Sequence, residues 1–359
     1  MKILLLSPLP PPEGGIATFT GHFLTALSNT DCSVTVIDTA VNGRRKRHPE
    51  KRYLLEEIVR TVRILRDVRC KLKKEKQILH LCSSLASFGI CRDILIALLA
   101  KRCRVPILLH CHCDVEHAAK GRLRRRLMKN LCRKVDMVIC LQQRSRRYIK
   151  SLCGCPIKVI PNFLPDDVVQ DFPQGEPRMQ IQRVVYVGTV CKEKGCESII
   201  KATKSCPAIS FYLVGRVAGD FPLEDLPANI HLTGPLPVKD VYDYLKESDV
   251  FLFPSKSEGF PFAVLEAMAA GLPILATPVG AIPEMLGKDA VFLKPDGSDI
   301  IEKLAFIEPP SIRRQMGEKN KHRAKACYTA SAVRPIWMDV YRTLWKQAGF
   351  DAAENKEEE

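Results

Sequence analysis

An alternation repeated twice limits what this chain can fold into. Six apolar runs come first: KILLL (2–6), SVTVI (33–37), QILHLC (77–82), VPILLH (105–110), DMVICL (136–141) and IKVI (157–160). Helical patterns separate most of them, as at 16–29, 51–74 and 120–134. Runs this short and this uniformly apolar read as strands buried on both faces, which is the signature of a parallel sheet covered by helices. The alternation stops at PNFLPDDVVQDFPQGEPRMQIQ (161–182), a proline- and acid-rich stretch without period. It then restarts. RVVYVG (183–188), SFYLV (210–214), IHL (230–232), VFLF (250–253), PILAT (273–277) and AVFLK (290–294) are the second set of runs, with helical patterns at 194–204, 238–247 and 261–270.

The prediction is an α/β protein of two Rossmann-like, doubly wound domains. Their spans are 1–165 and 183–335, with 166–182 as linker and the polar tail 351–359 outside both. A chain of 359 residues suits two domains better than one. Ligands of open α/β sheets bind beyond the carboxyl ends of the strands, so a cleft between two facing domains is the expected site.

Charge is distributed unevenly. Residues 42–76 hold fourteen Lys and Arg against five acids, and 119–150 hold twelve against one. These excesses, +9 and +11, exceed the net +15 of the whole chain, so the remainder is slightly acidic. Two local basic surfaces imply an anionic partner. The start, MKILLLSPLPPPEGG, lacks the apolar core and cleavage site of a signal peptide, and the longest apolar run elsewhere, ILIALLA (94–100), is far too short to span a bilayer. The expected location is cytoplasmic, or peripheral on the inner face of the cell membrane. The fifteen cysteines are scattered and odd in number, and the one-residue gaps of CHC (111–113) and CGC (153–155) differ from zinc spacings. Reduced thiols and no metal are expected.

One stretch carries chemistry in its spacing. In SEGFPFAVLEAMAAGLP (257–273), Glu258 precedes a predicted helix and Glu266 lies two turns inside it. Pro261 suits the first turn, and Gly271 the end. The amides of residues 262–264 would point from the helix N-terminus and form an anion site. A phosphate there would lie between two carboxylates, each able to accept hydrogen bonds from sugar hydroxyls. That order matches a nucleotide sugar, with phosphates in the middle and a sugar at each end.

This stretch, continued through PILATPVGAIPEML, resembles the E-x7-E signature of the retaining, GT-B fold glycosyltransferases of family 4. The preceding FLFPS, VVYVGTVCKEKG (184–195), KVIPNF (158–163) and PLPPPEGGIATF (8–19) are similar to that family in the same order, over nearly the full chain. The resemblance implies transfer of a sugar from a nucleotide diphosphate sugar to an acceptor hydroxyl, with retained configuration, in cell-surface polysaccharide or glycolipid synthesis. It implies that Glu258 meets the donor sugar and Glu266 the ribose. Gly259, Phe260, Phe262 and Ala263 complete the donor loop, with amides near the last two taking the distal phosphate. Lys194 would neutralise the diphosphate beside Gly188. Many relatives carry arginine after that glycine; here it is Thr189, which leaves Lys192 as a substitute cation. The N-terminal domain would take a saccharide or lipid-linked acceptor, and a final helix (336–350) would pack back on it.

In the N-terminal half, Gly14 and Gly15 permit close backbone approach at the start of a helix. His110 and His112 share one face of an alternating strand end. His112, the later of the two, is the better match to a family histidine near the reacting centre, which makes it a catalytic candidate with Glu258 and Lys194. No D-x-D occurs in the chain, so no metal or other cofactor is expected at the donor. Helix dipoles and Lys194 would stabilise the departing diphosphate. A nucleotide-sugar epimerase of the same fold and a non-catalytic glycan- or nucleotide-binding protein are the alternatives. A nucleic-acid partner is not expected, because the basic stretches come without a recognition motif. The segment 120–134 sets Leu123, Leu127 and Leu131 on one stripe flanked by Arg122, Arg125, Arg126, Lys129 and Arg133, a pattern that suits an anionic membrane surface.

Overall fold

The computed structural model describes all residues except 11–13, 29, 41–53, 74, 173–174, 220, 223 and 351–359. Part of the first basic stretch, part of the loop before Gly14, and the tail therefore lie outside the described residues. The chain forms two units, one of Met1–Asn162 with the chain from Val333 onward, the other of Phe163–Ala332.

The first unit is built on a six-stranded parallel sheet: β1 (Lys2–Ser7), β2 (Ser33–Asp38), β3 (Ile78–Ser83), β4 (Ile107–Cys111), β5 (Met137–Cys140) and β6 (Ile157–Val159), in the order β2-β1-β3-β4-β5-β6. The central strands β3, β4 and β5 are buried at every residue, which is why their sequences show no polar alternation. The second unit has five parallel strands: β7 (Arg183–Val187), β8 (Ser210–Val214), β9 (Ile230–Gly234), β10 (Val250–Phe253) and β11 (Ile274–Ala276). Their order is β11-β10-β7-β8-β9, the doubly wound arrangement in which the direction of winding reverses between β7 and β10. Right-handed crossovers to either side of β7 leave the carboxyl ends of β7 and β10 uncovered by a connection, so that is where the second sheet offers a site.

Three expectations change. The stretch 290–294 is no strand; a single bridge between Phe292 and Ala276 is all the pairing it makes. Its apolar residues pack without extending the ladder. The stretch 166–182 is no free linker. It contains the helix Asp166–Gln170, buries Val169 and Phe172, and is tied into the second unit by Lys321 donating to the Phe172 carbonyl and Ser331 to Asp166.

The third change concerns the leucine stripe of 120–134. The helix Arg122–Cys132 exposes Leu123, but Leu127 packs partly against the core and Leu131 is fully buried beside Met128. The unit needs that stripe for its own core. The last helix, Ala330–Gln347, crosses into the first unit at Val333 and buries Trp337 and Tyr341 there.

Candidate active site

The second unit gathers its charged groups at the reversal between β7 and β10. After β7 the chain makes a single 3-10 turn, Lys192–Lys194, and enters the helix Cys196–Thr203 through Gly195. Gly195 has φ of 72°, and a Cβ there would stand 2.0 Å from the Pro254 carbonyl oxygen. Only glycine fits where this turn meets the end of β10. The Lys256 amide adds a 2.9 Å hydrogen bond to the Glu193 carbonyl, so the two loops are fastened along their backbones.

That fastening sets Lys194 beside Glu258. The ammonium lies 2.5 Å from the Glu258 carboxylate and 5.9 Å from the centre of the Phe253 ring. The Lys194 side chain is 30% exposed and that of Glu258 10%, so the pair is largely shielded from water. From behind, Gly280 supports the Glu258 loop. A Cβ at Gly280, with φ of 57°, would come within 2.3 Å of the Glu258 carbonyl oxygen, and the Ala281 amide donates to Gly259 at 2.9 Å. The glycine of TPVGAIPE thus lets its loop lie directly on SEGF. Phe260, nearly buried, packs edge-on against Tyr328, with ring centres 5.5 Å apart.

The helix after this loop runs Phe262–Ala269, with Pro261 one position earlier than its sequence suggested, in the cap position. Pro261 offers no side-chain cap hydrogen bond, and the first-turn residues Phe262 and Ala263 are half-buried. The positive end of the helix dipole therefore lies at the loop of Glu258, the partner of Lys194. Glu266, half-buried on the same helix, acts on Tyr242, whose phenol is pushed up first by burial and then by the Glu266 and Asp167 carboxylates. Of the other expected donor residues, Gly188 ends β7 with its amide bonded to Val214 at 2.9 Å, and the Thr189 carbonyl accepts from the Tyr186 hydroxyl at 2.8 Å. Lys192 points to Glu197 on the following helix, 3.5 Å away, rather than to Glu258.

In the first unit the histidines form a stack. His80 of β3 is 2.7 Å from the Tyr341 hydroxyl and 3.4 Å from His110. The rings of His110 and His112 are 3.8 Å apart, and Phe19 packs on both, at 4.8 and 4.7 Å. Burial drives every member toward the neutral form: His80 and His112 are lowered to about 3, and His110 well below its ordinary value. His110 is a core residue. His112 differs in burial alone: it is half-buried, while the Nε2 atoms of both His110 and His112 are shielded and find no hydrogen-bond partner among the described residues. Gly14 and Gly15 start the helix Gly15–Leu27, and a Cβ on either would meet nothing within 4 Å among the described residues.

Gly195, Gly280 and Tyr242 were not singled out by sequence. The two glycines were visible within KEKG and TPVGAIPE; what they touch was not.

Comparison with known proteins now adds to this geometry. Residues 13–168 match the model described as glycosyltransferase family 4, and residues 181–307 the model described as glycosyl transferases group 1. Each half of the chain is thus similar to family 4-like glycosyltransferases. Among relatives of this type, a putative teichuronic acid biosynthesis glycosyltransferase of Bacillus subtilis is 27% identical over 278 residues, 72% of this chain and 64% of that protein. The match thus spans less than two thirds of that relative's length. In fold, the chain is similar to sucrose-phosphate synthase from Thermosynechococcus elongatus, with a TM-score of 0.76 at 16% identity, covering 96% of this chain and 99% of the other. It is also similar to an Anabaena protein in complex with UDP and glucose, with a TM-score of 0.71 at 16% identity, covering 96% and 100%. The fold is GT-B.

Proposed function

We propose that this glycosyltransferase-type chain moves a sugar from a nucleoside diphosphate sugar to an acceptor hydroxyl, in synthesis of a cell-surface polysaccharide or glycolipid. The observation that carries the reading is the Lys194–Glu258 pair, 2.5 Å apart at the end of β7 and β10, near the N-terminus of the helix Phe262–Ala269. Cleavage of a sugar–diphosphate bond builds negative charge on the leaving oxygen. A cation and a helix dipole fixed at that point stabilise the transition state more than the ground state. Glu258, held by Gly280 from behind, accepts hydrogen bonds from the sugar, while Glu266, further along the helix, takes the ribose. His112 contributes a neutral, unpaired Nε2 that can bond a hydroxyl without adding charge. The configuration is retained through displacement on one face, with the leaving phosphate helping to remove the acceptor proton, and no metal is needed. The Anabaena neighbour with UDP and glucose supports the donor class.

The test is transfer from labelled nucleoside diphosphate sugars with and without a panel of acceptors. Product should require the acceptor, keep the anomeric configuration by NMR, and persist under chelation. Conversion of the donor sugar without acceptor would favour the epimerase, and binding without any turnover the non-catalytic reading.

The acceptor side of the proposal includes an anionic membrane surface, carried by a different set of residues from the buried leucine stripe. The helices Leu54–Leu72, Ser87–Arg102 and Arg122–Cys132 pack in sequence on one another. The first exposes Leu55, 78% accessible, with Ile58, Val59 and Val62 on one face that Arg66 and Arg69 continue. The middle helix exposes Phe88, and the third Leu123 with Arg122, Arg125 and Arg126. Apolar groups flanked by cations suit a lipid interface, where each basic residue contributes roughly 1 kcal/mol. Liposome sedimentation should show binding to anionic vesicles that fades with salt; absence of binding, or equal binding to neutral vesicles, would remove this part.

A further inference from the structure

The two cysteines of CGC acquire a third in space. Cys132 is the last residue of the helix Arg122–Cys132, and Cys153 and Cys155 lie in the turn between the helix Gln143–Lys150 and β6. The three sulfurs lie within 4.8 Å of one another, and the Cys153 and Cys155 sulfurs are 3.0 Å apart. Cys132 is buried, while Cys153 and Cys155 are half-buried, so the cluster is anchored on one side and open on the other. A one-residue gap is a poor zinc motif within a single loop; the fold supplies what the loop lacks, a third sulfur from another element.

We propose that Cys132, Cys153 and Cys155 bind a thiophilic cation of the Zn2+ class, with solvent at the fourth position. Sulfur donors select such ions over magnesium or calcium. Zn–S bonds of about 2.3 Å in tetrahedral array set ligand sulfurs about 3.8 Å apart, so the Cys153–Cys155 pair opens by less than about 1 Å on binding. Each thiol gives its proton to solvent as it becomes a thiolate. Three thiolates around a divalent ion leave one negative charge, which Arg133 faces. The bound ion would tie the end of the basic helix to the β5–β6 connection. The site lies in the first unit, apart from the donor residues, and has no part in the sugar-transfer proposal.

The full chain, reduced and stripped of metal, is titrated with Co2+. A stoichiometric sulfur-to-cobalt charge-transfer absorption should appear and vanish when Zn2+ is added, and protein isolated without chelator should carry zinc by mass spectrometry. Cys153→Ser and Cys155→Ser, at half-buried turn positions where the fold should survive, should lose the absorption, while Cys206→Ser in the second unit should keep it. Absence of the absorption in wild type, its survival in the doubly substituted Cys153→Ser, Cys155→Ser chain, or isolation of a Cys153–Cys155 disulfide in place of zinc from reducing conditions would overturn the assignment.

Discussion

The two units treat their polar residues in opposite ways. The first packs three histidines against aromatic rings, two buried and His112 half-buried, where desolvation holds them neutral. The second leaves a lysine and a glutamate paired at the open ends of its strands, next to a helix dipole. On our reading, the charge that develops in the reaction is met in the second unit. The first offers hydrogen-bonding groups whose state does not change near neutral pH. Similar parallel sheets therefore present different chemistry according to which side chains lie at their strand ends.

The sharpest way to break this comparison is Glu258→Gln. It should lower kcat on the order of 10²-fold or more, as loss of a group that acts at the transition state does, while the protein stays folded. Steady-state transfer kinetics read the effect, and full activity would detach the chemistry from the second unit. Lys194→Ala should come next, raising the Kd for the nucleoside diphosphate and lowering kcat together. About tenfold to a hundredfold is the range for a lost charge-assisted bond. Lys192, already engaged with Glu197, should matter less. Lys192→Ala is expected to change kcat/KM by no more than about fivefold, the scale of an exposed pair. Equal losses from both lysines would mean that Lys192 shares the phosphate.

Acid should separate the units with a smaller effect. His80 and His112 have folded values of about 3 against 6.5 unperturbed, so the unfolded chain binds more protons as pH falls below 6.5. Stability is then lost progressively from about pH 6.5 towards 3, at up to about 1.4 kcal/mol per pH unit for each histidine. The protein's two tryptophans, Trp337 and Trp345, both belong to the first unit, and Trp337 lies 5.3 Å from His80. Tryptophan-detected urea midpoints should therefore fall over this range, and His80→Gln should flatten the fall. A midpoint unchanged between pH 7 and 5 would contradict the buried neutral stack.

Much of this was legible in the sequence because burial writes itself into short apolar runs. The β1 to β11 strands lie within a residue or two of those runs, and Glu258, Glu266 and Lys194 stand out by motif. The run 290–294 misled because an apolar segment signals burial whether or not it pairs. The stripe Leu123, Leu127, Leu131 misled for a related reason: helical spacing marks an apolar face without saying whether protein or lipid covers it. Long-range partners left no local trace. Gly195 is glycine because of Pro254, and Cys132 joins Cys153 and Cys155 only through the fold.

The most direct test of the central claim is calorimetric titration of nucleoside diphosphates into wild type, Glu258→Gln and Glu266→Ala. One nucleoside diphosphate should bind wild type, bind Glu258→Gln nearly as well, and bind Glu266→Ala at least about tenfold more weakly, in line with loss of a charged hydrogen bond. Failure of every nucleoside diphosphate to bind, or loss of affinity in Glu258→Gln with none in Glu266→Ala, would contradict the account.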